Sequence, residues 1–173
     1  MLLTRTGQPS WGYMVEQGAT TIWERWDTDT RDADMNSENL LIQVGDLGAW
    51  LYRSLAGIRG DPDQPGFKHF SIQPHPVGDL RWVKAHHDSP HGLIVSNWAR
   101  DEDTLTMEIV VPANTTATVH VPVLEEARVT EFGVPASQAE GVTFVRADED
   151  VAVYTVGSGV YRFVSHRRQD ATP

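Results

Sequence analysis

Residues 105–111 read LTMEIVV and carry the pattern on which the predicted fold class rests. Every second residue from Leu105 onward is apolar, which is the period of a β-strand with one buried face. The same alternation recurs further along the chain, in ATVHVPV at residues 117–123 and in VAVYT at residues 151–155. We therefore predict a strand at each of these three places.

Around these three strands, the second half of the chain contains further short apolar runs separated by turn residues. The candidate strands lie at residues 69–73, 79–87, 92–99, 127–131 and 142–146. Gly157-Ser158-Gly159 predicts a hairpin turn into a last strand at residues 160–164. About eight short strands without intervening helical patterns are typical of an antiparallel β-sandwich. We place this domain at residues 67–167.

The first half has a helical period instead. Ser10 predicts the cap of a short helix, and Gly18 suits its left-handed exit. A longer helix is predicted from Asn36 or Ser37 to Ala56, because apolar residues from Leu40 to Ile58 recur every three or four positions.

The boundary between the halves is predicted in RGDPDQPG at residues 59–66, a stretch of turn residues. Gly57 fits the exit of the long helix, and Pro62 prevents its continuation. The first domain therefore covers residues 1–62, and the fold class is α+β by segment.

Composition excludes several classes of function. The 173 residues carry 14 Lys and Arg against 24 Asp and Glu, a net charge of −10, and no Cys. Nucleic acids and anionic membrane surfaces require a basic footprint, so neither is an expected partner. The absence of Cys excludes disulfides, thiolate nucleophiles and Cys-based zinc sites. No apolar run has the length of a membrane span, and we expect a cytoplasmic protein.

The segment with the most unusual chemistry reads QGATTIWERWD at residues 17–27. Glu24 lies between Trp23 and Trp26 and beside Arg25. Indole faces stack on the C–H faces of sugars, and a carboxylate held ionised by an arginine suits a base or nucleophile acting on a glycoside. The alternative interpretation is structural, with an Arg–Glu pair covering two core indoles.

Three other groups of residues allow two interpretations each. Four aspartates between residues 27 and 34 form either a solvated loop or a cation site. The histidines between His86 and His91 suggest a metal site, but neighbouring strand residues point to opposite faces, so we expect none. Trp82 and Trp98 are either sandwich core or a platform for a sugar.

A family resemblance covers the first part of the chain. The run PSWGYMVEQGATTIWERW at residues 9–26 closely resembles the end of the catalytic domain of bacterial α-L-rhamnosidases, glycoside hydrolase family 78. It continues through MNS at 35–37, GDL at 45–47, WLY at 50–52 and LAGI at 55–58, and it fades at GFK, residues 66–68. Beyond that point only the order and pattern of elements match.

The resemblance implies a fold and an activity. Residues 1–62 would be the last helices of an (α/α)6 barrel, followed by the family's C-terminal β-sandwich. The family hydrolyses terminal α-L-rhamnose from glycosides with inversion, and its proposed general base maps onto Glu24. We expect Trp23 and Trp26 to contact the substrate, a rhamnose-containing glycoside, and we expect no cofactor and no metal.

Two departures from the family pattern limit this interpretation. The family's general acid and most of its sugar ligands lie upstream, in barrel helices outside these 173 residues. Leu40 stands where many members carry a histidine that contacts the sugar. We therefore expect the chain to need the missing part of the barrel as its partner and to be inactive alone. The alternative is a non-catalytic β-sandwich that binds carbohydrate or packs against a partner chain.

Overall fold

In a computed structural model of the chain, residues 5–30, 44–123 and 128–166 are described. The chain divides into two compact units, Met1–Gly48 and Ala49–Pro173. Within the described ranges, no helix is both long enough and apolar enough to cross a membrane.

The first unit contains the predicted short helix, α1, at Trp11–Glu16. Ser10 caps it, since its Oγ accepts a hydrogen bond from the Tyr13 backbone N–H at 3.0 Å. At the other end Gly18 adopts a φ of 79°, and the N–H of Ala19 donates to the Met14 carbonyl at 2.9 Å. This is a Schellman exit, so both predicted ends of the helix are confirmed. A 3₁₀ turn follows at Thr28–Thr30.

Helix α2 covers Val44–Trp50 and continues into a π-helical turn at Leu51–Leu55. The Ala56 N–H closes this turn by donating to the Leu51 carbonyl at 2.9 Å. Gly57 then leaves the helix with a φ of 81°, as its position in the sequence predicted. The predicted start at Asn36 or Ser37 lies outside the described residues.

The second unit is built mainly from strands. In chain order their bounds are β1 Ile58–Gly60, β2 His69–Ile72, β3 Trp82–Ser89, β4 Gly92–Arg100, β5 Thr104–Val111, β6 Thr116–Pro122, β7 Arg128–Glu131, β8 Val134–Pro135, β9 Val142–Ala147, β10 Val151–Val156 and β11 Gly159–His166. A 3₁₀ turn at Ala136–Gln138 precedes β9.

Among the described residues these strands form two sheets. Sheet I has the order β1-β2-β6-β10-β9, and sheet II has the order β3-β4-β5-β11-β7-β8. The pairing is antiparallel except between β2 and β6, which run parallel with His69 opposite Thr116. The predicted antiparallel sandwich is thus confirmed in its main part, with one parallel pair added.

The core lies between the two sheets and follows the alternation that predicted the strands. Met107 and Ile109 of β5 and Val119 and Val121 of β6 are fully buried. Phe70 of β2 is equally buried. Burial of such side chains stabilises the fold by about 1.5–3 kcal/mol each, which makes this core the main source of stability in the unit.

Two predictions about the chain path need correction. Gly157-Ser158-Gly159 is not a hairpin turn, because β10 belongs to sheet I and β11 to sheet II. Alternating apolar residues on either side of the turn indicate that each strand has one buried face, but they do not indicate which strand it pairs with. Residues 58–60, which fell partly in the predicted linker, form β1, because buried Ile58 pairs with Ile72 of β2.

Candidate functional site

The candidate site centres on Glu24, in the loop that follows α1. Trp23 is buried, with only 8% of its surface exposed, whereas the next residue, Glu24, is exposed. The buried indole therefore anchors the backbone next to the exposed carboxylate. Trp23 thus holds the segment in place, and Glu24 is accessible to solvent or to a ligand.

Arg25 has a different partner from the one that the sequence suggested. Its Nε lies 3.5 Å from Oδ1 of Asp27, and its backbone carbonyl accepts a hydrogen bond from Thr28 Oγ1 at 2.9 Å. The ion pair that the structure shows for Arg25 is therefore with Asp27. This pair lies within the loop, immediately after Glu24.

Trp26 packs beside α1. Its ring lies edge-on to Trp11, with the centroids 5.7 Å apart and the planes at 63°. The Trp26 carbonyl also accepts a hydrogen bond from Gln8 Nε2 at 3.2 Å. Trp26 is only partly buried, so part of its ring surface stays available for a ligand.

A second link joins α1 to the end of the loop. The Tyr13 hydroxyl donates to Oδ2 of Asp29 at 2.6 Å, and this hydrogen bond raises the pKa of the Tyr13 phenol above its usual 10.0. Sequence reasoning did not single out this pair, since a separation of 16 residues carries no local signal. Asp27 and Asp29 therefore both have protein partners, while Asp32 and Asp34 lie outside the described residues.

The histidines are separated as predicted. His86 is exposed on β3, and His87 points the other way, with its ring 4.4 Å from that of Phe67. In the ranges that the structure describes, no three His, Asp or Glu side chains are grouped closely enough to hold a metal ion.

The two tryptophans of the sandwich have different environments. Trp98 is 2% exposed and belongs to the core, so it cannot act as a sugar platform. Trp82 is 62% exposed at the start of β3. Leu40, which replaces the histidine of many family members, lies outside the described residues.

Two family models match the chain, one after the other. The bacterial alpha-L-rhamnosidase 6 hairpin glycosidase domain matches residues 1–55, and the bacterial alpha-L-rhamnosidase C-terminal domain matches residues 57–134. The chain belongs to the bacterial α-L-rhamnosidase family. The two matches meet next to Gly57, a few residues before the boundary that the turn residues predicted.

Two similar sequences within this rhamnosidase family cover 94% and 70% of the chain. An alpha-L-rhamnosidase from Streptomyces avermitilis is 37% identical over 167 residues, which are 94% of the chain but 15% of that protein. One from Formosa agariphila is 40% identical over 126 residues, or 70% of the chain and 13% of that protein. The chain thus spans less than a fifth of the length of the rhamnosidases that it matches.

Solved rhamnosidase structures share the fold. The alpha-L-rhamnosidase from Dictyoglumus thermophilum superposes with a TM-score of 0.78 at 36% identity, over 95% of the chain and 18% of its own length. The Streptomyces avermitilis alpha-L-rhamnosidase, solved in complex with L-rhamnose, gives a TM-score of 0.74 at 36% identity over 94% of the chain and 15% of its own length.

Proposed function

We propose that this chain supplies the C-terminal part of a glycoside hydrolase that removes terminal α-L-rhamnose from glycosides. Its first 62 residues would complete an (α/α)6 catalytic barrel, and the sandwich would follow it. The observation that carries the proposal is the exposed Glu24 beside the buried Trp23, within the stretch that matches the rhamnosidase catalytic domain.

In this proposal Glu24 acts as the general base of an inverting reaction. Its carboxylate takes a proton from a water molecule as that water attacks the anomeric carbon, on the face opposite the leaving group. A second carboxyl group, roughly 6.5–9.5 Å away, protonates the departing oxygen. That acid would come from the remainder of the barrel, so both parts are needed for turnover.

The flanking indoles have separate roles. Trp26, with part of its ring surface accessible, would stack on the sugar. Trp23 is buried and offers little ring surface to the substrate. Its main contribution would be to fix the loop that presents Glu24.

A chimera tests the proposal. The matching part of the Streptomyces avermitilis relative would be replaced by this chain and assayed with an aryl α-L-rhamnoside. Turnover is expected, and Glu24→Gln should lower kcat by about 10²–10⁴-fold while rhamnose binding persists. Asp29→Asn, which changes a nearby carboxylate that already has a partner in Tyr13, is the matched control. Near-normal turnover of Glu24→Gln would exclude the role of this residue.

The stereochemistry is tested separately in the same chimera. Proton NMR of the first sugar released should show the anomer opposite to that of the substrate, because a single displacement by water inverts the centre. Initial release of the α-anomer would contradict an inverting mechanism and would make Glu24 a candidate nucleophile instead.

A further inference from the structure

Trp82 lies on the outer face of sheet II, in a row of residues that crosses three strands. It stands opposite Ala99 of β4, and Ala99 stands opposite Thr106 of β5. The Ala99 side chain is a single methyl group, which is too small to cover the Trp82 indole from that side. The indole is 62% exposed as a result.

The neighbouring row consists of polar residues. Lys84 of β3 stands opposite Asn97 of β4, and Asn97 stands opposite Glu108 of β5. Together the two rows line a shallow pocket on the sheet surface, with the indole at one corner. The pocket therefore combines one aromatic surface with a rim of charged and amide groups.

The rim contains both donors and acceptors, and the Asn97 side chain is held in place. Oδ1 of Asn97 accepts a hydrogen bond from the Ala85 backbone N–H at 3.2 Å, which orients the side chain and leaves its NH₂ group as a donor. Lys84 adds donors, Glu108 adds acceptors, and the Thr106 hydroxyl can act as either. Such a mixture suits vicinal hydroxyl groups, each of which donates and accepts.

We propose that this pocket binds a pyranose unit of a glycoside, with the Trp82 indole stacked on the C–H face of the ring and Lys84, Asn97 and Glu108 bonded to its hydroxyls. Aromatic stacking with a few convergent polar groups is the usual arrangement of a small-ligand site. This site goes beyond the proposed function, because it lies in the sandwich and needs no catalytic carboxylate.

NMR on the whole ¹⁵N-labelled chain tests the proposal, with methyl α-L-rhamnopyranoside as the probe. The choice of a rhamnoside rests on the proposed function. The Trp82 indole N–H and the Asn97 side-chain amide should shift saturably at millimolar concentrations. The Trp98 indole should shift far less than the Trp82 indole, since its ring is 2% exposed and belongs to the core on the other face of the sheet. Glycerol, a polyol without a ring, should have no such effect.

Two variants complete the test. Trp82→Ala should weaken binding, followed at Asn97, by about tenfold or more, which corresponds to at least 1.4 kcal/mol. Val160→Ala, at another exposed apolar position of sheet II, should bind as the wild type does. A dispersed Trp98 indole signal, which requires the bond to the Leu55 carbonyl, verifies that each variant is folded.

Three results would overturn the site: no saturable shift at Trp82, an equal response to glycerol, or an Asn97 response that survives Trp82→Ala. Shifts confined to the Trp23 and Trp26 indoles would also overturn it while supporting the role of the Glu24 segment. Conversely, binding at Trp82 together with full activity of Glu24→Gln in the chimera would exclude the proposed base and leave this site intact.

Discussion

The indole N–H of Trp98 donates a hydrogen bond to the backbone carbonyl of Leu55, 43 residues earlier in the chain, at 2.8 Å. Both residues are buried. The hydroxyl of Ser96, on the same strand, bonds the next carbonyl, that of Ala56, at 2.7 Å. The last carbonyls of a helix have no partner within it, and here two side chains of β4 satisfy them. The helix end thus belongs to the sandwich.

The first prediction concerns this bond. Trp98→Phe removes the donor and leaves the Leu55 carbonyl buried without a partner, so the free energy of unfolding should fall by about 2 kcal/mol or more. Urea unfolding followed by circular dichroism measures the change. Trp82→Phe makes the same replacement at an exposed position and should cost less than about 0.5 kcal/mol. Equal losses in the two variants would show that the buried bond contributes nothing.

The second prediction concerns Gly57, where the chain leaves the helix. A Cβ at this position would lie 2.2 Å from the carbonyl carbon of Gln73, and the φ of 81° is unfavourable for any other residue. Gly57→Ala should therefore destabilise the chain by about 3 kcal/mol or more. Gly157→Ala is the control, since a Cβ there meets no atom within 4 Å. An unchanged midpoint of urea unfolding for Gly57→Ala would contradict the close approach of the Gly57 and Gln73 backbones.

Strands whose apolar residues alternate over several positions could be predicted from the sequence, whereas the pairing of those strands could not. Alternation placed β5, β6 and β10 closely, because a half-buried strand repeats every two residues. Side-chain burial along the chain does not encode pairing, so the parallel β2–β6 contact and the crossing at residues 157–159 could not be predicted. Strand β1 was missed because three residues are too few to show a period.

The same distinction applies to the site. Glu24 could be singled out as a candidate because Trp23, Arg25 and Trp26 lie close to it in sequence. The pairs Arg25–Asp27 and Tyr13–Asp29 depend on how the loop folds back toward α1, and composition could not distinguish them from an Arg25–Glu24 pair. Similarly, the row of Lys84, Asn97 and Glu108 becomes visible only once the strand register is known.

The third prediction concerns pH. The pKa of His120 lies below its usual 6.5, chiefly because burial disfavours the charged imidazole and also because Arg146, Arg59 and His75 are close. Its Nδ1 is buried without a hydrogen-bond partner. Between the folded pKa and 6.5, the unfolded chain binds more protons than the folded one, so stability rises with pH across this window and falls on acidification.

Replacing the imidazole isolates this contribution. Chemical denaturation at pH values from 7.5 down to 5 should show a smaller loss of stability for His120→Gln than for the wild type. His86→Gln, at an exposed position of β3, controls for the loss of an imidazole as such. Parallel curves for wild type and His120→Gln would show that protonation of His120 does not oppose folding.

The fourth prediction separates the roles of the two indoles in the chimera and rests on the proposed function. Trp23→Phe should lower kcat with little change in KM, because a smaller buried ring loosens the backbone that positions Glu24. Trp26→Ala should instead raise KM by about tenfold through lost stacking. If Trp23→Phe raised KM alone, the indole would be a direct sugar contact.

The fifth prediction concerns the chain by itself. With an aryl α-L-rhamnoside, the purified 173 residues should show no turnover above background, because one carboxylate cannot act on both faces of a sugar. A Glu24→Gln sample prepared in parallel sets the background. Turnover that depends on Glu24 would mean that this chain contains its own acid.

The position of the last two strands has a consequence for synthesis. β10 lies between β6 and β9, and β11 lies between β5 and β7, so residues 151–166 join the two halves of both sheets. As the chain leaves the ribosome, β5 and β6 emerge well before these partners and present open edges meanwhile. Folding of the sandwich must therefore await the synthesis of residues 151–166, and a chain truncated before residue 151 would keep these edges open and be prone to aggregation.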